Sequence, residues 1–221
     1  MPRGKTQSST DETRRVRLIL RRLNQNYPNV ECALDHRTPW QLLAATILSA
    51  QCTDVRVNIV TPDLFAAYPT VQDLAVAAQP DIEQLVRTTG FFRNKAKNLI
   101  GAAKGIVDHY NGEVPRNMEA LLTLPGVARK TANVVLGSGF GIASGVVVDT
   151  HVSRISNRLG LTTATDPKKI ERDLIDIVPK KRWVLFSHQI IHHGRQVCVA
   201  RKPKCDACRL DDLCSAKDKT N

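Results

Sequence analysis

No part of this chain stays apolar for long. Its longest apolar runs, such as 42–47 and 145–148, fall far short of the ~20 residues that a membrane-spanning helix needs. A helical membrane protein is therefore excluded. The opening residues 1–10 are polar, so no secretory leader is expected and the chain should stay in a reducing compartment. Alternation of apolar and polar residues is almost absent, which argues against a sheet. The best strand candidate, Val146-Val147-Val148, is too short to build one. There is no internal repeat of the solenoid kind and no low-complexity segment. Acidic residues are the scarcer charge: 21 Asp and Glu against 32 Lys and Arg leave a formal charge of +11. That excess points to a polyanionic partner, with nucleic acid first. At 42% hydrophobic and 24% charged, the 221 residues exclude a mainly disordered chain and suffice for one domain or two small ones.

Helical punctuation, by contrast, is plentiful. Over 11–27 the apolar residues Val16, Ile19, Leu20, Leu23 and Tyr27 recur at helical spacing, and Pro28 stops them. Thr38-Pro39-Trp40-Gln41 reads as an N-cap, a first-position proline and a glutamine that closes a capping box, with Leu43, Ile47 and Leu48 facing inward. Thr70-Val71-Gln72-Asp73 opens a short helix. Pro80-Asp81 opens the next, which Gly90 closes. A longer helix over 94–110 ends before Asn111-Gly112. Asp166-Pro167 caps a helix that ends at Pro179, and the last long helix covers 181–193 with Gly194 just beyond its end. The fold is expected to be all-α with about ten helices, and 1–10 and 215–221 to be flexible tails.

Four of the six cysteines, Cys198, Cys205, Cys208 and Cys214, form a C-x6-C-x2-C-x5-C run. Four soft thiolates so close together can wrap one metal centre. Structural zinc sites usually draw on two separated pairs, and here only Cys205 and Cys208 make such a pair. Zinc stays open, but one compact loop suits an iron–sulfur cubane better, since each of its corners can take one cysteine. Arg201, Lys202 and Lys204 lie between the first two ligands and Arg195 just before them. They are either a phosphate-contacting loop or a solvated charged face. Cys32 and Cys52 read as inert buried thiols, and His188, His192 and His193 as packing or solvent-facing residues.

Leu121 to Leu124 end one helix, Pro125-Gly126 makes a tight turn and Arg129 begins another helix: a helix–hairpin–helix. Its turn amides are a ready anion site, suited to a DNA phosphate without sequence preference, although an ordinary helix–helix turn has the same pattern. Lys130 sits in the first turn of the second helix, where a cation opposes the helix dipole. A residue that breaks a local rule is a functional candidate, and a lysine that gives up its proton is a nucleophile. Asp149 follows the apolar run 146–148. It is a good N-cap for the next helix, and one oxygen can cap while the other faces a site.

Together these pieces resemble the endonuclease III family of DNA glycosylases with lyase activity. The matching segments are Leu48-Ser49-Ala50-Gln51-Cys52-Thr53-Asp54, the hairpin 124–132, Val148-Asp149-Thr150-His151-Val152 and the four-cysteine run, in family order over about 11–214. The resemblance implies two helical domains flanking a DNA-binding cleft. One is a six-helix barrel over 32–142 with the hairpin; the other joins 11–31 to 143–214 and carries a [4Fe–4S] cluster on the four cysteines. It implies removal of oxidised or saturated pyrimidines from damaged duplex DNA, followed by β-elimination at the abasic site. By the same resemblance Lys130 is the nucleophile, Asp149 its catalytic partner, Gln51 the filler of the space left by the flipped base and Phe91 the wedge in the opposite strand. Further DNA contacts are expected from Gly126, Ala128, Thr131, His151, Arg195, Arg201, Lys202 and Lys204. A monomer in the cytoplasm, associated with the nucleoid, is expected.

Two positions depart from the family pattern. Ala128 stands where the hairpin's second glycine is usual, so the turn must be one that alanine tolerates. Phe91-Phe92 stands where a smaller aliphatic and then an aromatic are common. An aromatic wedge can stack on bases and shift damage preference. Two other readings fit parts of the pattern: a monofunctional sister glycosylase, against which Lys130 argues, and a non-catalytic DNA-binding module with structural zinc.

Overall fold

The computed structural model describes residues 5–220, with side chains from residue 11. Among the described residues there are eleven α-helices and no strand. The chain divides into two compact units.

Cys32–Ser144 is the continuous unit. It holds α2 (Pro39–Leu48), α3 (Asp54–Ala67), α4 (Val71–Ala75), α5 (Gln79–Val86), α6 (Phe92–Tyr110), α7 (Met118–Leu122) and α8 (Arg129–Val134). Side-chain caps start several of these helices. Thr38 accepts from the Gln41 amide at 3.2 Å, and Gln41 Oε1 in turn accepts from the Arg37 amide at 2.8 Å. Thr70 and Asp73 form a reciprocal capping box at α4. Helix α6 is central: Ala96, Leu99, Ala102, Ala103 and Ile106 are fully buried along one face, and α4, α5 and α2 pack on it. Its Gly101 and Gly105 lie one turn apart under the hairpin. A Cβ on either would come within 3.0 Å of Pro125 or Leu124.

The other unit is discontinuous. It joins the residues up to Glu31 to those from Gly145 on. Helix α1 (Lys5–Asn26) buries Ile19 and Leu23 in the same core as Val152, Ile155, Phe186 and Ile190. The last two pairs belong to α9 (Thr150–Arg158) and α11 (Trp183–Gln196), and α10 (Pro167–Ile177) adds Ile170 and Leu174.

Several expectations need correction. The run Val146-Val147-Val148 is not a strand. It is an extended connector whose three side chains are all buried, and the Val147 amide donates to Ser187 Oγ at 3.0 Å. Helix α11 begins at Trp183 after a 3-10 turn and runs through Gly194, which is therefore inside the helix. That glycine serves close approach: a Cβ there would lie 2.7 Å from His151 Nδ1 and 2.8 Å from Ile155 Cδ1 of α9. Of the expected tails, residues 5–10 lie in α1, whereas 1–4 and 221 fall outside the described residues. Ser215 to Thr220 are tied down. The Ser215 amide donates to the Arg158 carbonyl at 3.1 Å, Lys219 Nζ to the Asp211 carbonyl at 2.7 Å, and the Thr220 amide to Cys205 Sγ at 3.4 Å. The boundary between the units falls after Ser144, two residues beyond the expected 142.

Candidate active site and metal-binding loop

The hairpin is fastened from below and open above. Leu121, Leu124, Val127 and Ala132 are buried, whereas Pro125, Gly126, Ala128, Arg129 and Lys130 are exposed. Gly126 has φ +78°, and a Cβ there would come within 2.8 Å of Asn98 on α6. Gly126→Ala should thus cost about 1–2 kcal/mol of stability for the left-handed backbone alone. It should also weaken duplex binding severalfold as the turn shifts. Denaturant unfolding and DNA titration of the variant check both. Ala128 has φ −94° and ψ 170°, an extended conformation that alanine adopts freely. The departure from glycine leaves the turn unstrained. Lys130 is the second residue of α8 and Thr131, half-buried, the third. The helical path continues without a break through Val135–Gly139 as a π-turn.

Asp149 belongs to the other unit. It caps α9, its Oδ1 accepting from the Val152 amide at 2.8 Å, as the sequence predicts. The capped helix then sends Arg154 and Arg158 toward the cysteine loop, with His151 before them against Gly194 of α11. His151 is half-buried. Burial pulls its pKa below the usual imidazole value and the nearby Arg154 and Arg195 cations act in the same direction, against the Asp149 carboxylate. Arg154 Nη2 donates to the Cys198 carbonyl at 2.9 Å and the Gly194 carbonyl at 3.3 Å. Arg158 donates to Cys198 Sγ at 3.3 Å and to the Val199 and Ala200 carbonyls at 2.8 and 3.1 Å, and pairs with Asp218. Neither arginine stood out in the sequence. Their spacing from Asp149 along one helix was the available signal.

All four cysteines line one pocket together with Arg158, Lys219 and Asp218. Among the described residues no three His, Cys, Asp or Glu side chains come close enough to hold a single metal ion. The thiols are spread round a volume instead. Burial raises the Cys208 and Cys214 thiols, so as free thiols they keep their protons near neutrality. Arg195, Arg201, Lys202 and Lys204 are exposed on or beside this loop. His193 is buried, takes a 2.9 Å hydrogen bond with the Tyr27 hydroxyl and lies 3.6 Å from Cys208 Sγ. Burial lowers its pKa to about 4, so it packs as a neutral ring.

Gln51 and Phe91 lie in the 32–144 unit, each exposed and each in the left-handed backbone region, with φ 53° and 49°. For side chains other than glycine this is uncommon and marks both loops.

Comparison with known proteins agrees with this arrangement. Residues 44–180 match the model of the HhH-GPD superfamily of base excision DNA repair proteins. Endonuclease III of Synechocystis sp. PCC 6803 is 59% identical over 210 residues, covering 95% of this chain and 94% of its own. The Escherichia coli K12 endonuclease III is 39% identical over 203 residues, 92% of this chain and 96% of its own. The chain belongs to the endonuclease III family. A solved endonuclease III, trapped as a covalent intermediate on DNA, superposes with a TM-score of 0.87 at 43% identity, covering 92% of this chain and 95% of that one. The protein is thus a base excision repair enzyme, a DNA glycosylase with abasic-site lyase activity. Among the described residues no helix is long and apolar enough to cross a membrane.

Proposed function

We propose that this endonuclease III relative excises oxidised or saturated pyrimidines from duplex DNA and cuts the abasic strand through a lysine Schiff base. The observation that carries the reading is Lys130, exposed at the second position of the helix after the hairpin turn. The hairpin amides of Gly126, Ala128 and Thr131 hold backbone phosphate, as do Arg195, Arg201, Lys202 and Lys204 beside the cysteine loop, with His151 close by. The damaged nucleotide must leave the stack before C1′ is accessible, at a cost of a few kcal/mol. A saturated pyrimidine is no longer flat, stacks poorly and lowers that cost. Phe91 enters the opposite strand and Gln51 takes the vacated space. Asp149 accepts a proton from the Lys130 ammonium, and the free amine attacks C1′ as the base departs with the glycosidic electron pair. The aminal so formed loses a nitrogen proton and opens at its C1′–O4′ bond, O4′ taking up a proton, and the resulting iminium acidifies the C2′ proton. Its loss expels the 3′ phosphate and cuts the strand. Asp149 also offsets positive charge on the sugar. Borohydride trapping on a duplex holding one oxidised thymine tests the reading: a covalent adduct supports it, and base release without one points to a monofunctional glycosylase.

Cys198, Cys205, Cys208 and Cys214 hold a [4Fe–4S] cluster in this reading. Four thiols around one cavity fit a group of several metals, and Arg158 and the Thr220 amide supply hydrogen bonds to two of the sulfurs. The group, when bound, ties the loop into one shape. This chain's residues then keep Arg201, Lys202 and Lys204 facing outward. The protein should be brown and carry iron with inorganic sulfide. Cys205→Ser should bleach it and weaken duplex binding roughly tenfold as the basic loop loses its shape. Stoichiometric zinc in a colourless, active protein would overturn this assignment. A monomer in the cytoplasm at the nucleoid completes the reading.

A further inference from the structure

We propose that Lys95 is a positioning residue for base extrusion, a buried cation that anchors the loop carrying Phe91 next to the loop carrying Gln51. The proposal rests on the assignment of those two residues to the DNA stack given above.

Lys95 is 4% exposed, on the first turns of α6, and Thr89 is 2% exposed. Its Nζ reaches back six residues and donates to the Thr89 carbonyl at 2.7 Å. Thr89 is itself fastened, its Oγ1 donating to the Val86 carbonyl at 2.7 Å. Between Thr89 and the helix stand Gly90 at φ 71° and Phe91 at φ 49°. Phe91 occupies the N-cap of α6 but gives it no side-chain hydrogen bond. So the left-handed turn lacks an ordinary cap, and Lys95 supplies the closure from inside the helix. Phe91 meanwhile stands 66% exposed, an aromatic ring outside the core. Arg93 covers the next ring, Phe92, at 5.3 Å.

The Gln51 loop adjoins this turn. It runs directly into α3, and α3 packs on Arg87–Thr89. Cys52, the residue after Gln51, packs on the same core. Burial lowers the Lys95 pKa, and Cys52 lies near enough to oppose that shift. An ammonium group is costly to bury. An apolar side chain would fill this place more cheaply if packing were its whole role. The cost is accounted for if the two strained loops must be held in place before DNA arrives, since a small misplacement of inserting groups has a large effect on rate.

The test compares two substrates in the intact, cluster-loaded enzyme. One duplex holds an oxidised thymine and a fluorescent adenine analogue opposite it. The other holds a ready-made abasic site, which has no base to unstack and a lower extrusion cost. Lys95→Met should slow base excision roughly tenfold and suppress the fluorescence change on extrusion, while abasic cleavage stays within about threefold. Phe91→Ala and Gln51→Ala should likewise slow excision and suppress the fluorescence change. If they do not, the assignment of the two loops fails. If they do and Lys95→Met loses neither activity, or both equally, the positioning role is overturned. Thr89→Ala, which releases the loop from Val86, serves where Lys95→Met folds poorly: selective loss supports the proposal and equal loss overturns it. Phe91→Ala combined with Lys95→Met should be no worse than the poorer single variant, whereas additive losses would place the two residues in separate roles.

Discussion

Lys130→Ala is expected to remove base excision and strand cleavage together, each by at least about 10³-fold, with no borohydride-trapped adduct. The loss comes from one atom. Without Nζ nothing attacks C1′, so no iminium forms and the C2′ proton is not acidified. Folding should hardly notice. Lys130 is exposed at the start of α8, where a cation meets the positive end of the helix. Stability should shift by no more than about 0.5 kcal/mol. Duplex binding should weaken only by the loss of one charge near the phosphates. A variant that binds, folds and neither excises nor cuts is the expected outcome. Retained strand cleavage would move the nucleophile elsewhere.

Asp149→Asn separates the two uses of that carboxylate. Asparagine caps a helix about as well as aspartate, so the bond to the Val152 amide survives and thermal unfolding should be unchanged. Its amide cannot take a proton from an ammonium, so single-turnover excision should fall by about 10²–10⁴. Asp149→Ala should lose the same rate and, in addition, about 1 kcal/mol of stability from the missing cap. If Asp149→Asn turns over at the wild-type rate, the residue is a cap alone.

Local signals carried the sequence reading a long way. The caps at Thr38, Thr70, Asp149 and Asp166 are contacts within one helical turn, and each is present. The hairpin and the four cysteines are also local. Failures came where distant packing decides. Helix α3 carries Pro62 in its interior, a helix-breaking signal that masks it in the sequence although Thr53 caps it. Gly194 looks like a helix terminator until His151 and Ile155 are seen against it. The last residues look like a loose polar tail because the groups that hold them, Arg158, Pro203, Cys205 and Asp211, belong to other segments. Lys95 reads as one more surface lysine on an amphipathic helix. Its burial against Thr89 depends on the left-handed turn before it.

The discontinuous unit also has a consequence for how the chain is made. Synthesis delivers α1 before the continuous unit, yet Ile19 and Leu23 find their core partners Val152, Phe186 and Ile190 only after all of 32–144 has been translated. The continuous unit can fold as it leaves the ribosome, while α1 waits with an apolar stripe uncovered. Thr220, whose amide meets Cys205 Sγ, comes 15 residues after it in the chain. A nascent chain arrested at Ser144 would thus hold a finished hairpin and an orphaned α1, with the cysteine loop still to come.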